Sequence, residues 1–153
     1  MKVHIATDHA GLELKEKLIE HLSKKGYEVV DHGAHEYNPT DDYPEFIISA
    51  AEAVVADQRN GVKALGVVFG GSGNGEQIAA NKVRGVRAAL AWNEFTARKA
   101  REHNDANIVS IGARLHEDDE VLQLTDFFLE EPYSADERHV RRIGQITDYE
   151  QSS

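Results

Sequence analysis

The sequence contains no cysteine. Disulfides, thiolate metal sites and thiol catalysis are therefore excluded, and the absence fits a reducing compartment. Long apolar runs are missing too: none approaches the ~18 residues of a membrane-spanning helix. Near the N-terminus, Asp8, Glu13, Lys15 and Glu16 interrupt any apolar stretch of the kind a secretory signal needs. These absences point to a cytoplasmic protein that does not enter a membrane. Positive charge is scarce. Lys and Arg number 17 against 27 Asp and Glu, a net charge of −10, which argues against general binding to nucleic acid or to an anionic surface. An anionic ligand must instead be met by a local cluster of Arg and His.

What is present suits a single domain over residues 1–153. A chain of this length buries roughly 68–70% of its unfolded surface. Short β-type runs at Val3–Ala6, Glu28–Asp31, Leu65–Phe69, Ala88–Ala91 and Ile108–Ile111 alternate with helical patterns. Leu12, Leu14, Leu18, Ile19 and Leu22 repeat at helical spacing before Gly26, and Phe46, Ile47, Ala50, Ala51, Val54 and Val55 repeat between Pro44 and Gly61. Strand–helix alternation of this kind predicts βαβ units and a parallel sheet. The expected fold is α/β: a three-layer, Rossmann-like or flavodoxin-like sheet of five parallel strands. An α/β core over residues 1–131 precedes a C-terminal helix over 132–150, where Ser134 and Glu137 have capping-box spacing.

In doubly wound sheets ligands bind beyond the carboxyl ends of the strands, so the polar residues just after each strand carry the interest. Gly70-Gly71-Ser72-Gly73-Asn74-Gly75-Glu76 follows the most hydrophobic strand and opens a helix. Glycines let backbone N–H groups approach an anion without Cβ obstruction, and a helix N-terminus favours negative charge. The motif is not a P-loop, because no Lys-Ser/Thr pair follows, and Glu76 stands where a dinucleotide fingerprint has its third Gly. It reads as an oxyanion or phosphate cradle, or else as a tight strand–helix turn.

Glu76 is the carboxylate best placed for acid–base work. The helix terminus lowers its pKa and burial raises it, and sequence leaves the balance open, as it leaves open an ordinary first-turn Glu. Asp8 and His9 end the first strand. Asp8 suits a helix cap as well as an acid–base partner. His103 and Asn104 close a helix, and Arg114 follows the last strand. Arg138, His139 and Arg142 cluster on the tail helix, where Arg138 and Arg142 share a face that suits a phosphate or simply water. Asp31, His32, His35 and Glu36 lie in a loop with no Cys or helical His-x-x-x-His to complete a metal set, so no metal and no cofactor is expected.

Taken in order, Asp8-His9-Ala10-Gly11, Gly71-Ser72-Gly73-Asn74-Gly75, His103-Asn104-Asp105-Ala106-Asn107, Gly112-Ala113-Arg114 and Arg138-His139-x-x-Arg142 resemble the ribose-5-phosphate isomerase B family, which includes galactose-6-phosphate isomerase subunits. Many members carry a catalytic Cys where this chain has Gly70. Glu76 looks like the base of the Cys-lacking subgroup. The resemblance implies metal-free interconversion of ribose 5-phosphate and ribulose 5-phosphate in the pentose phosphate pathway, through a cis-enediolate. Asp8 and His103 would open the ring and Glu76 would move the proton. Ser72 and the amides of Gly71, Gly73, Asn74 and Gly75 would stabilise the enediolate. Asn104 would hold a hydroxyl, and His9, Arg114, Arg138, His139 and Arg142 the phosphate. It further implies a homodimer or dimer-built tetramer with shared active sites, the tail helix packing on a partner subunit. Another phosphosugar (allose 6-phosphate, galactose 6-phosphate or a tetrose phosphate) fits the same motifs, as does a non-catalytic phosphosugar-binding module.

Overall fold

The computed structural model describes residues 1–153. Five strands, β1 (Lys2–Ala6), β2 (Glu28–Asp31), β3 (Ala64–Gly70), β4 (Ala88–Ala91) and β5 (Ile108–Gly112), form one sheet in the order β2-β1-β3-β5-β4. Every pairing is parallel. Six helices accompany them: α1 (Leu12–Lys24), α2 (Tyr43–Arg59), α3 (Asn74–Ala80), α4 (Glu94–Glu102), α5 (Asp118–Glu130) and α6 (Glu137–Ser152).

The central strands β3 and β5 are buried along their whole length, because helices cover both faces of the sheet. On one face Val3, Ile5, Val67, Phe69, Val109 and Ile111 pack against the leucines of α1, the alanines of α4 and Phe128 of α5. On the other, Ala6, Val68 and Ile108 pack against Ile47, Ala50 and Val54 of α2 and Ala79 and Ala80 of α3. Residues i and i+2 of one strand thus serve the same core, and a strand buried on both faces reads as a continuous apolar run.

The chain order reverses between β1 and β3: β2 extends the sheet on one side, β5 and β4 on the other. That reversal opens a crevice at the carboxyl ends of β1 and β3. The segments leaving those two strands are Asp8–Gly11 and Gly71–Glu76.

The tail departs from expectation in one detail. Ser134 and Glu137 form no capping box. The Ser134 hydroxyl accepts from the Asp136 N–H at 3.3 Å, Ala135 sits at φ 56°, and α6 begins at Glu137 with Asp136 as an N-cap that makes no side-chain bond. The positive φ at Ala135 turns the chain before Ser134 can reach the helix amides. The helix thus starts five residues later than the expected 132 and runs two residues past the expected 150, to Ser152.

Candidate active site

Glu76 stands in the first turn of α3 and is 5% exposed. Its carboxyl is pushed above the ordinary carboxylate range, chiefly because burial disfavours the charge. The nearby Asp8 carboxylate adds to the rise, while the amides of Glu76 itself and of Gly73 oppose it. Burial therefore wins over the helix terminus. A base whose pKa rises toward neutrality is suited to take and return a proton.

The position of that carboxylate is set by Gly70. A Cβ on Gly70 would run into the Glu76 carboxyl carbon and both its oxygens. The carboxylate thus fills the space that a side chain at the end of β3 would occupy, and it does so only because residue 70 has none. Gly70→Ala is expected to displace it. A misplacement of about 1 Å can lower turnover about 10²-fold, while circular dichroism stays native. Parental kcat in Gly70→Ala would show that the carboxylate is not held this way.

The glycine loop between β3 and α3 is wedged against the end of β5. Gly73 adopts φ 83°, a left-handed conformation that favours glycine, and its carbonyl accepts from the Ser110 hydroxyl at 2.8 Å and from the Gln77 N–H at 3.0 Å. The Ser72 hydroxyl accepts from the Asn74 N–H at 3.2 Å. Beside the loop, the Arg114 side chain lies over Gly71, and the Arg114 N–H donates to the Gly71 carbonyl at 3.1 Å. The Tyr43 hydroxyl fills the space next to Gly75.

Across the crevice, Asp8 caps the short 3-10 turn after β1, its carboxylate accepting from the Ala10 N–H at 3.0 Å. Its cap role and its nearness to Glu76 coexist. His9 Nδ1 bonds Asp41 Oδ1 at 2.5 Å. Asp8, His9 and Asp41 together hold three potential ligand atoms within 4.8 Å of one another. Asp41 and Tyr43 were not legible as site residues. They sit in and just after a polar loop, where nothing in the sequence separates Asp41 from Asp42.

The remaining sequence-derived residues lie elsewhere. Helix α4 leaves the carboxyl end of β4 and runs back, about 14 Å for its nine residues, so His103 and Asn104 reach the amino edge of the sheet. There the Asn104 carbonyl accepts from Arg87 Nε at 3.0 Å, and the Asn107 N–H donates to the Arg87 carbonyl just before β4 begins. Asp8 and His103 of one chain are therefore not brought together as a joint acid–base pair. The reason is the antiparallel return of α4.

Around His103 a second cluster forms. The His103 and His139 rings stack at 4.3 Å and 17°, and Arg138 Nε donates to His139 Nε2 at 3.3 Å. The start of the tail is tied to α4 by the Ser134 N–H, which donates to the Glu102 carbonyl. Its far end is tied by Arg84, which donates to the carbonyls of Glu150 and Ser153. Burial is the main cause holding His139 below the ordinary histidine range, and the charges of His103, Arg138 and Arg142 add to it. Arginine ion pairs in this chain are made by Arg87, Arg98 and Arg101. Arg59, Arg84, Arg114, Arg138, Arg141 and Arg142 have none. Of these, Arg138 and Arg142 stand beside His139, and Arg114 lies over Gly71.

One chain thus carries a crevice with Glu76, Asp8 and His9 at the carboxyl edge of the sheet and a separate His103, Arg138 and His139 cluster reached through the return of α4. Residues 3–146 match the sequence pattern of the family described as Ribose/Galactose Isomerase. Ribose-5-phosphate isomerase B of Mycobacterium tuberculosis is 51% identical over 152 residues, 99% of this chain and 91% of the relative. Among solved structures, ribose-5-phosphate isomerase B of Mycoplasma genitalium with bound ribulose-5-phosphate superposes with a TM-score of 0.92 at 40% identity, covering 99% of this chain and 97% of that one. The Clostridium thermocellum enzyme superposes with a TM-score of 0.90 at 42% identity, covering 99% of both chains.

Proposed function

The chain belongs to the ribose/galactose isomerase family, and from that premise we propose that it interconverts ribose 5-phosphate and ribulose 5-phosphate. The observation that carries this reading is the buried Glu76 carboxylate, raised in pKa and seated at the end of β3 between the glycine loop and Asp8.

The reaction moves one proton between neighbouring carbons. Asp8 and the partner's His103 act on the ring oxygen and the anomeric hydroxyl to open the furanose. Glu76 takes the proton from C2 of the open aldose. The electron pair left behind forms the C1–C2 double bond, and the carbonyl at C1 becomes an enediolate oxygen. Ser72 and the amides of Gly71, Gly73, Asn74 and Gly75 stabilise that oxyanion. Preorganised donors act where charge develops, and one such donor is worth ~2.7–4 kcal/mol. Glu76 then returns the proton to C1 while the O2 hydroxyl proton passes to O1 as the C2 carbonyl forms, so no net proton is gained or lost. Hydrogen bonds suffice for this chemistry without a metal ion.

Binding is divided between two subunits. His9 and Arg114 serve the phosphate from the crevice side. The partner's Arg138, His139 and Arg142 complete that pocket, and the partner's Asn104 holds a sugar hydroxyl. Two features support a homodimer or a dimer-built tetramer. His103 cannot reach the crevice of its own chain, and an apolar set stands exposed on α3, just after β4, and on α4 and α6: Ile78, Trp92, Phe95, Val140, Ile146 and Tyr149. Trp92, Ile146 and Tyr149 among them line one open hollow, and exposed apolar surface of this kind is the expected mark of an interface.

Initial rates with ribose 5-phosphate in excess EDTA, with allose 6-phosphate and galactose 6-phosphate in parallel, test the reading. Ribulose 5-phosphate formation that is insensitive to EDTA is the expected result. Turnover of a hexose phosphate alone would keep the mechanism and change the substrate. No turnover of any of the three would overturn the assignment.

A further inference from the structure

Residues 35–40, between β2 and α2, are exposed throughout. Asp41 ends that exposure, with a side chain 6% accessible. Withdrawing a carboxylate from water is unfavourable unless it finds partners, and the partner here is His9. Asp41 Oδ1 meets His9 Nδ1 at 2.5 Å and also accepts from the His9 backbone N–H at 3.4 Å. Tyr37, from the same loop, sets its ring edge-on to the imidazole at 5.4 Å and 89°. The second oxygen, Oδ2, is buried without a hydrogen-bond partner. The loop therefore grips His9 on two sides and leaves Nε2 as the nitrogen able to meet a ligand.

We infer that Asp41 is a positioning residue for phosphate recognition: it fixes the His9 imidazole in one orientation with its proton on Nδ1, so that Nε2 faces the ligand. The inference rests on the reading of His9 as a phosphate ligand. When the ring is doubly protonated, Nδ1–H stays on Asp41 and Nε2–H donates to a phosphate oxygen. When the ring is neutral, the proton stays on Nδ1 and Nε2 offers a lone pair to a phosphate or sugar hydroxyl. An untethered imidazole would share its proton between both nitrogens and lose part of its contact in each.

The test compares the parent enzyme with Asp41→Ala and Asp41→Asn. In Asp41→Ala, KM for ribose 5-phosphate rises about tenfold, the weight of one hydrogen bond to a charged group, while kcat stays within about twofold. The dissociation constant for inorganic phosphate, read by calorimetry, rises by the same factor. Asp41→Asn keeps an acceptor for Nδ1–H and recovers most of both losses. Unchanged KM and phosphate affinity in Asp41→Ala overturn the inference, as does a fall in kcat alone. A parent that binds phosphate but turns over no sugar overturns the isomerase reading only, since phosphate affinity still decides the role of Asp41. Should Asp41→Ala fail to fold, long-range proton–nitrogen NMR of His9 in the parent decides: an Nε2-protonated neutral ring would overturn the proposal.

Discussion

Glu76→Gln is expected to lower kcat about 10³-fold, within the 10²–10⁴-fold range of general acid–base catalysis, and to raise the thermal midpoint at neutral pH. Both effects follow from one buried carboxylate. Glutamine keeps its volume and an acceptor for the Gly73 and Glu76 amides, but it cannot take a proton from carbon. It also carries no charge to be desolvated. Buried charge is the main cause of the raised Glu76 pKa, so removing it relieves the native state. Activity and stability then move in opposite directions, as at other sites where function holds a strained group in place.

The pH dependence separates this explanation from a general disturbance of the fold. The folded-state pKa of Glu76 lies above its unfolded value, close to 4.5. The native chain therefore binds this proton more tightly than the unfolded chain. Below the unfolded value both states are protonated and no desolvation opposes folding. As pH rises through the folded value the native state acquires the buried charge, and stability is lost. The midpoint advantage of Glu76→Gln should thus be small near pH 4 and grow toward neutrality. In the parent, the acid limb of kcat/KM should fall above 4.5, and the residual activity of Glu76→Gln should lack that limb. Equal midpoints at all pH values would mean that the carboxylate is not desolvated in the native protein.

The fold was legible where burial acts on local pattern. The runs Val3–Ala6 and Leu65–Phe69 each lie within an observed strand and miss only a terminal residue or two: β3, covered on both faces, is apolar throughout, and the run in β1 admits one polar residue, His4, buried against Asp57 and His32. Glu28–Asp31 and Ala88–Ala91 match their strands residue for residue. The placement of β5 between β3 and β4 was not legible, since it depends on pairings between distant segments. Half of the candidate site followed from a topological rule. Residues just beyond a strand gather at the carboxyl edge, which brings Asp8, His9, Gly71–Glu76 and Arg114 to one crevice. His103 and Asn104 follow a helix instead, and a helix that returns antiparallel to the sheet delivers its end to the opposite edge. Asp41 was invisible for a different reason. A carboxylate in a polar loop looks solvated until the tertiary fold sets it against His9.

Hybrid dimers of Glu76→Gln and His103→Ala should regain activity that neither parent variant has. Each substitution alone is expected to disable both sites of a homodimer, because each damages one half of every site. In a two-fold symmetric pair the halves exchange reciprocally. One site of the hybrid combines both damaged halves and is dead, whereas the other combines Glu76 from one chain with His103 from its partner and is whole. With random exchange, half of the dimers are hybrids and each has one intact site, so about a quarter of the parental activity should return. Arg142→Ala in place of His103→Ala should behave alike, since it belongs to the same cationic half-site on the tail helix. Native mass spectrometry establishes that exchange has occurred. Confirmed exchange without recovery would mean that crevice and cationic cluster do not meet across a dimer.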